Sequence, residues 1–360
     1  MRARLRRPSW LLVTSLCLLW WATGPAHAAD ERAPNHQPVR EVADQRLPVR
    51  TAAGAGVLAL YASRAVDPGT VHADIERAVL VFHGRLRDAG VYWRSAQRAL
   101  QTVPAAVPRT LLIVPQYLAE RDVVAHALAP DTLRWSLEGW EGGDAAVGPA
   151  PISSFEAIDA VLALLADRTR FPHLAQVVLA GHSGGGQVVQ RYAVVGQGEA
   201  ALAAVGVPVR YVVANPSSYL YFSAERPRGD GTYVVPPALE CPRVNAWKYG
   251  WDDAPAYAQR LSGEAYEDRY VARDVVYLLG EADVDPQHPA LDRSCAGEAQ
   301  GPYRLLRGRG YTQYLHQRHP QRPPVVHEIP GVGHDGDRML GSACGRAALF
   351  DDARGAADCH

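Results

Sequence analysis

Lysine is almost missing from this chain: of its 37 basic residues only Lys248 is a lysine, a mark of arginine-rich coding composition rather than of function. Basic residues do not outnumber the 38 acidic ones. There is thus no bulk positive field to draw nucleic acid or an anionic membrane surface, and neither is expected as a partner. The cysteines include no C-x-x-C and the histidines no paired ligand spacing, so no metal site is expected. Repeat periods and low-complexity blocks are also lacking, which excludes solenoids and tethered arrays.

What is present begins with a leader. "MRARLRRPSW" holds four arginines and no acid, a thirteen-residue apolar run follows from Trp10 to Ala22, and "PAHA" ends a small-x-small site at Ala28. That is the layout of a secretory signal peptide over 1–28, and the run is short of the about 20 residues a membrane anchor needs. No stable membrane insertion is expected after cleavage. Removing 1–28 takes away four arginines and Cys17, leaving 33 basic residues against 38 acidic and four cysteines. An even cysteine count in an exported chain reads as two disulfides, preferably Cys241–Cys295 and Cys344–Cys359, since the latter closes a short terminal loop. Export places the protein in the periplasm or the medium.

Residues 29–50 are rich in Pro, Arg and acid without a period and read as a loose arm; the rest, 51–360, reads as one domain. "VLALYA" (57–62), "RAVLVFHG" (77–84), "TLLIVPQ" (110–116), "QVVLAG" (176–181), "VRYVVANPSS" (209–218), "DVVYLLG" (274–280) and "PVVHEI" (324–329) are strand-like. Between them, 91–103, 153–169, 185–195, 265–273, 300–319 and 337–350 carry helical spacing. Ser153 or Ser154 ahead of Glu156 is a capping signal. Residues 133–146 read as an irregular loop, and 217–255, rich in Tyr, Pro and Gly, as a lid or rim insertion. Alternating apolar strands and helices predict an α/β domain, its sheet mostly parallel and covered on both faces.

The chemistry concentrates at "QVVLAGHSGGGQVVQRYAVV" (176–195), where Gly181-His182-Ser183-Gly184-Gly185 joins a strand to a helix. In such a turn the serine is strained, and glycine at both flanks relieves collision while the hydroxyl is thrust out at the strand's carboxyl end. The Gly184 amide then points where an oxyanion would form, with the helix dipole behind it. A serine hydroxyl needs a base, and the base an acid. In this topology both follow the serine on loops after later strands. "LLGEADVD" offers Asp283, with Asp285 as an alternative acid, and "GVGHDG" offers His334. "VFHGRL" offers Arg85 N–H as the second oxyanion donor, with Gly84 turning the backbone toward the nucleophile. His182 is read as packing beside the turn, His327 as a strand histidine, His316 and His319 as solvated, and His126 and His288 as loop residues without a role.

The serine turn, the "HG" turn, "LLGEAD" and "GVGHD", in this order over about residues 57–350, resemble the α/β-hydrolase superfamily. The resemblance implies an eight-stranded, largely parallel sheet, acyl-enzyme chemistry and no cofactor. It assigns nucleophile to Ser183, acid to Asp283, base to His334 and oxyanion donors to Arg85 and Gly184. "HGRL" departs from the triple-glycine oxyanion motif of lipases. For the substrate pocket, Trp135, Trp140, Ser217 and Tyr219 are expected to face the nucleophile, with Tyr221, Trp247, Tyr249 and Trp251 added from the insertion. The expected reaction is hydrolysis of an uncharged carboxylic ester, from a small molecule, lipid or polymer, with activity falling below about pH 6.5 as His334 protonates. An exported peptidase or amidase on the same triad, and a non-catalytic binding module on the same fold, are the alternatives.

Overall fold

A computed structural model describes residues 33–67 and 69–359, so the leader expected over 1–28 lies outside the described residues. An eight-stranded sheet runs through the molecule in the order β1-β2-β4-β3-β5-β6-β7-β8. Its strands are β1 (Gln45–Thr51), β2 (Gly54–Ala62), β3 (Arg77–Phe82), β4 (Thr110–Gln116), β5 (Gln176–His182), β6 (Val209–Ala214), β7 (Asp274–Gly280) and β8 (Val325–Ile329). β1 and β2 pair antiparallel, as do β2 and β4; from β4 to β8 every pairing is parallel.

Parallel strands are covered on both faces, and side-chain alternation divides the core in two. Leu80 and Phe82 of β3 and Val177 and Leu179 of β5 face one apolar layer. There they meet α2 (Ser154–Leu165), α3 (Gly184–Val195), α4 (Gly263–Val271) and α5 (Arg304–Arg318). Val79, Val81, Val178 and Ala180 face the other layer, with α1 (Ala89–Gln101), α6 (Gly336–Gly341) and α7 (Ala343–Phe350). Helix starts follow their sequence signals. Ser153 Oγ accepts from Phe155 N at 3.1 Å while Ser153 N donates to Glu156 at 2.8 Å, a capping box that contributes about 1 kcal/mol. The helix expected over 337–350 is two, α6 and α7, because Ser342 leaves the helical conformation and caps the second by accepting from Gly345 N at 2.9 Å.

The loose arm expected over 29–50 is corrected for its described part. Residues 45–51 are the edge strand β1, with Leu47 and Val49 buried. Ahead of it, Val39 N donates to Asp122 Oδ1 at 2.9 Å and Ala43 N to Gln116 Oε1 at 2.8 Å. The fully buried Arg87 binds Asp122 at 2.7 Å and donates to the carbonyls of Asn35 (2.7 Å) and Gln37 (3.0 Å). Two inward apolar residues in an edge strand containing Pro48 are too few to show a period, and the arm's partners lie far away in the chain. The folded unit therefore starts before residue 51.

Between β6 and α4 the chain runs irregularly, with one short pairing of Arg226–Pro227 with Tyr233–Val234. The cysteines stand in the two expected pairs, Cys241 with Cys295 and Cys344 with Cys359. Among the described residues no helix is long and apolar enough to cross a membrane. The carboxyl ends of β3, β5, β7 and β8 open at one edge of the sheet, where side chains on the following turns can converge.

Removing one partner of a buried ion pair leaves the other charge without compensation. Arg87→Met is expected to cost about 3–5 kcal/mol in urea unfolding; a midpoint equal to wild type would show that the arm is not held by this residue.

Candidate active site

Ser183 adopts φ 61° and ψ −122°, a conformation that non-glycine residues rarely hold. Its own backbone fixes it: Ser183 N donates to Ala214 O on β6 at 3.0 Å, and Ser183 O accepts from Gln187 N at 3.0 Å. The flanking glycines are required by backbone contact. A Cβ on Gly181 would stand 2.1 Å from Gly185 O, and one on Gly185 would stand 2.0 Å from Phe82 O at the end of β3.

Three sequence-distant side chains meet at this turn. His334 Nε2 lies 2.9 Å from Ser183 Oγ, and His334 Nδ1 lies 2.8 Å from Asp283 Oδ2. With a neutral ring, Nδ1–H donates to the carboxylate and Nε2 accepts from the hydroxyl. Asp283 is buried, so the carboxylate is shielded from water. The alternative acid, Asp285, is exposed and accepts from Gln287 N instead. Burial lowers the His334 pKa; the Asp283 hydrogen bond opposes this, and the nearby Arg304 charge adds to the lowering.

Other groups gather around His334: Arg304, which nothing in the sequence marks, His288, expected as a loop residue without a role, and His182, expected to pack beside the turn. Arg304, at the first turn of α5 and almost fully buried, reaches Asp283 Oδ1 at 3.4 Å. Burial pushes its pKa down to about 10 against the pull of Asp283. The ring of His288 lies 4.8 Å from that of His334, edge to face, and the ring of His182 lies 4.5 Å away. His182 is buried with its Nδ1 3.2 Å from Tyr92 Oη, and burial first, then the neighbouring His334, lowers its pKa well below the usual value. No periodicity or motif marks Arg304 or His288, which reach the site only through the fold.

The turn after β3 faces the serine turn. His83 Nε2 accepts from Tyr117 N at 3.0 Å, which leaves Nδ1–H to donate to Gly84 O at 2.9 Å. Burial pushes this ring down to about 4, so it stays neutral and the tautomer is fixed. Gly84 O also accepts from Arg87 N at 3.0 Å, so the same arm-bound residue braces the turn. A methyl on Gly184 would sit 2.9 Å from Arg85 N, placing that amide directly against the start of α3.

No family model matches the chain, and no curated protein matches its sequence. Solved structures do match in shape. A poly(3-hydroxybutyrate) depolymerase from Bordetella parapertussis superposes with a TM-score of 0.56 at 22% identity, covering 88% of this chain and 94% of its own. Poly(aspartic acid) hydrolase-1 from Sphingomonas sp. KT-1 does so with a TM-score of 0.56 at 18% identity, covering 87% and 99%. The chain has the α/β-hydrolase fold.

In α/β-hydrolase folds the loops at the carboxyl edge shape the cleft, and here they overturn the aromatic pocket expected from the sequence. Trp135 and Trp140 are buried in the core, Trp140 stacking on Tyr117 at 5.2 Å and lying 4.6 Å from His83. Tyr219 and Tyr221 are equally buried, the first stacking on Tyr311 and the second meeting it edge to face. A loop aromatic looks the same in sequence whether it turns to solvent or inward, and these turn inward because other rings await them. Trp247 and Trp251 pack on the same core. Ser217 and Tyr249 do line the cleft, a space of about 260 Å³ beside Ser183. The rest of its wall is mostly charged: Arg85, Glu138, Glu141, Lys248, Asp292 and Arg293. Elsewhere, His319 is bound to Glu267 at 2.8 Å rather than solvated, and His126 contacts Val39 O at 2.7 Å.

Since a Cβ at 181 or 185 would overlap main-chain oxygens, Gly181→Ala and Gly185→Ala are each expected to cost about 3 kcal/mol or more. Thermal or urea unfolding measures this, and a wild-type midpoint would contradict the close approach.

Proposed function

We propose that the protein is a serine hydrolase that cleaves carboxylic esters through an acyl-Ser183 intermediate. The single observation behind this reading is the hydrogen-bonded chain Ser183–His334–Asp283 at 2.9 and 2.8 Å, on a strained turn with the Arg85 amide packed against it. Ser183 Oγ attacks the carbonyl carbon as His334 Nε2 takes its proton, and Asp283 steadies the imidazolium that forms. The Gly184 and Arg85 amides receive the developing oxyanion; among the described residues Arg85 N–H has no acceptor of its own. His334 then protonates the departing alcohol, activates a water, and the acyl group leaves as the acid.

The named activity of one solved neighbour, a depolymerase of poly(3-hydroxybutyrate), favours an ester-linked substrate. That of the other, a hydrolase of poly(aspartic acid), favours the alternative of an amide on the same triad. Matched ester and amide substrates separate the two. Two disulfides and the leader-like amino terminus favour work in an oxidising compartment outside the cytoplasm.

Ser183→Ala is expected to abolish both fluorophosphonate labelling and ester turnover, a loss of about 10³-fold or more. Labelling that persists in this variant would overturn the assignment, and an unlabelled wild type would favour a binding module. The base must be neutral to act, and burial with the Arg304 charge lowers the His334 pKa against the pull of Asp283; His288 and His182 also face it. The acid limb of kcat/KM should therefore fall below pH 6.5, lower than a free imidazole would give. Arg304→Met should move that limb toward higher pH, and a limb that moves the other way would rule out the Arg304 charge as its cause.

A further inference from the structure

The same cleft carries information about substrate charge that the sequence did not. Its lining holds three cations and three carboxylates, so formal charge alone decides nothing. The unspent hydrogen-bonding capacity does. Glu141 Oε2 already accepts from Lys248 Nζ at 3.0 Å and from Gln187 at 3.3 Å. Asp292 accepts from Tyr249 Oη at 2.6 Å and from Ser294 N at 3.0 Å, and Glu138 lies 3.5 Å from Arg85.

Glu141 Oε1 and most of Glu138 also keep acceptor capacity, but the cations keep more. Among the described residues the Lys248 ammonium donates to Glu141 alone, which leaves two of three protons for something else. Among the described residues the Arg85 guanidinium makes only contacts of 3.5 Å, to Glu138 and to Pro289 O. Arg293 is exposed and makes no hydrogen bond or ion pair among the described residues.

This wall is also rigid. The buried Arg191 of α3 donates to Glu141 O at 3.0 Å and to Lys248 O at 3.2 Å, and Trp247 Nε1 donates to Gly142 O at 2.7 Å. Both loops are thus tied to the helix that starts at the nucleophile, and the Lys248 ammonium is held in place before a substrate arrives. Glu141 Oε1 faces Gly184, at 2.8 Å from where a Cβ there would lie, and would repel a second anion next to the oxyanion.

We infer that the substrate hydrolysed at Ser183 carries a carboxylate a few bonds from the scissile ester, bound by Lys248 and Arg293 with Arg85 at the rim. This replaces the uncharged ester expected from the sequence, and it rests on the serine-hydrolase reading above. The spacing follows from Glu141: its Oε1 beside Gly184 keeps the carboxylate off the oxyanion amides, so that group meets Lys248 through the ammonium protons that Glu141 Oε2 does not take.

The test compares kcat/KM within two ester pairs, each value divided by the rate of hydroxide-catalysed hydrolysis. One pair places the charge on the acyl side, 4-nitrophenyl hemiglutarate against 4-nitrophenyl valerate. The other places it on the alcohol side, 4-acetoxybenzoate against its methyl ester. In at least one pair the anionic member should be favoured about tenfold at low salt, with the preference shrinking as salt is raised. Arg293→Glu should bring that ratio to about one or below. The paired variant Lys248→Met/Glu141→Gln, which removes both charges together, should reduce it as well. A wild-type ratio at or below one in both pairs, with Ser183 labelled and esters turned over, overturns this inference and leaves the hydrolase reading standing. So does a preference that neither variant moves. No labelling of Ser183 and no turnover of any of the four esters removes the hydrolase reading, and this inference with it.

Discussion

Everything at the carboxyl edge of the sheet depends on one close approach of main chain to main chain. The serine turn is wedged between β3 and β6, with the Phe82 carbonyl against Gly185 on one side and the Ala214 carbonyl bonded to Ser183 N on the other. No side chain fits between these backbones, so the turn cannot relax from its strained φ without opening the sheet. The strain is local and the restraint comes from the whole eight-stranded core, which is how an unfavourable conformation persists at Ser183. His334 and Asp283, carried on turns after neighbouring strands, then need only short loops to reach the hydroxyl.

A second layer of organisation is electrostatic. The molecule buries several arginines outright, among them Arg87, Arg191, Arg304 and Arg307, each against carbonyls or carboxylates. Buried ions are a poor source of net stability, since desolvation offsets much of the attraction. What they supply is direction. Arg87 ties the amino-terminal arm to the turn after β3, Arg191 ties two cleft loops to the helix that follows Ser183, and Arg304 addresses the carboxylate behind the His334 imidazole. An arginine fork reaches several acceptors at once, which a lysine cannot do. In that light the solitary Lys248, placed in the cleft, stands apart from the arginines of the frame.

The central sheet and the Ser183, His334 and Asp283 positions were legible because each rests on a local rule. Buried parallel strands read as short apolar runs, and a strand-to-helix serine turn demands glycine at set offsets. The wall of the cleft obeys no such rule. Glu138, Glu141, Lys248, Asp292 and Arg293 come from three irregular segments whose meeting is a property of the folded state alone. Trp135 and Trp140 were misplaced because an aromatic ring in a loop carries no sign of which way it turns. The arm was misread because its ordering partners, Gln116 and Asp122, lie more than seventy residues downstream of the amides they hold.

That arm has a further meaning for how the site comes into being. The polar groups of residues 35–43 bond to parts of the chain made later: Asn35 and Gln37 to Arg87, Ala43 to Gln116 and Val39 to Asp122. The Arg87 guanidinium has its full set of partners only with the arm on one side and Asp122 on the other. The arm and the turn bearing the Arg85 amide are in this way joined through one side chain and its own main chain, so fraying of the first would be felt in the second.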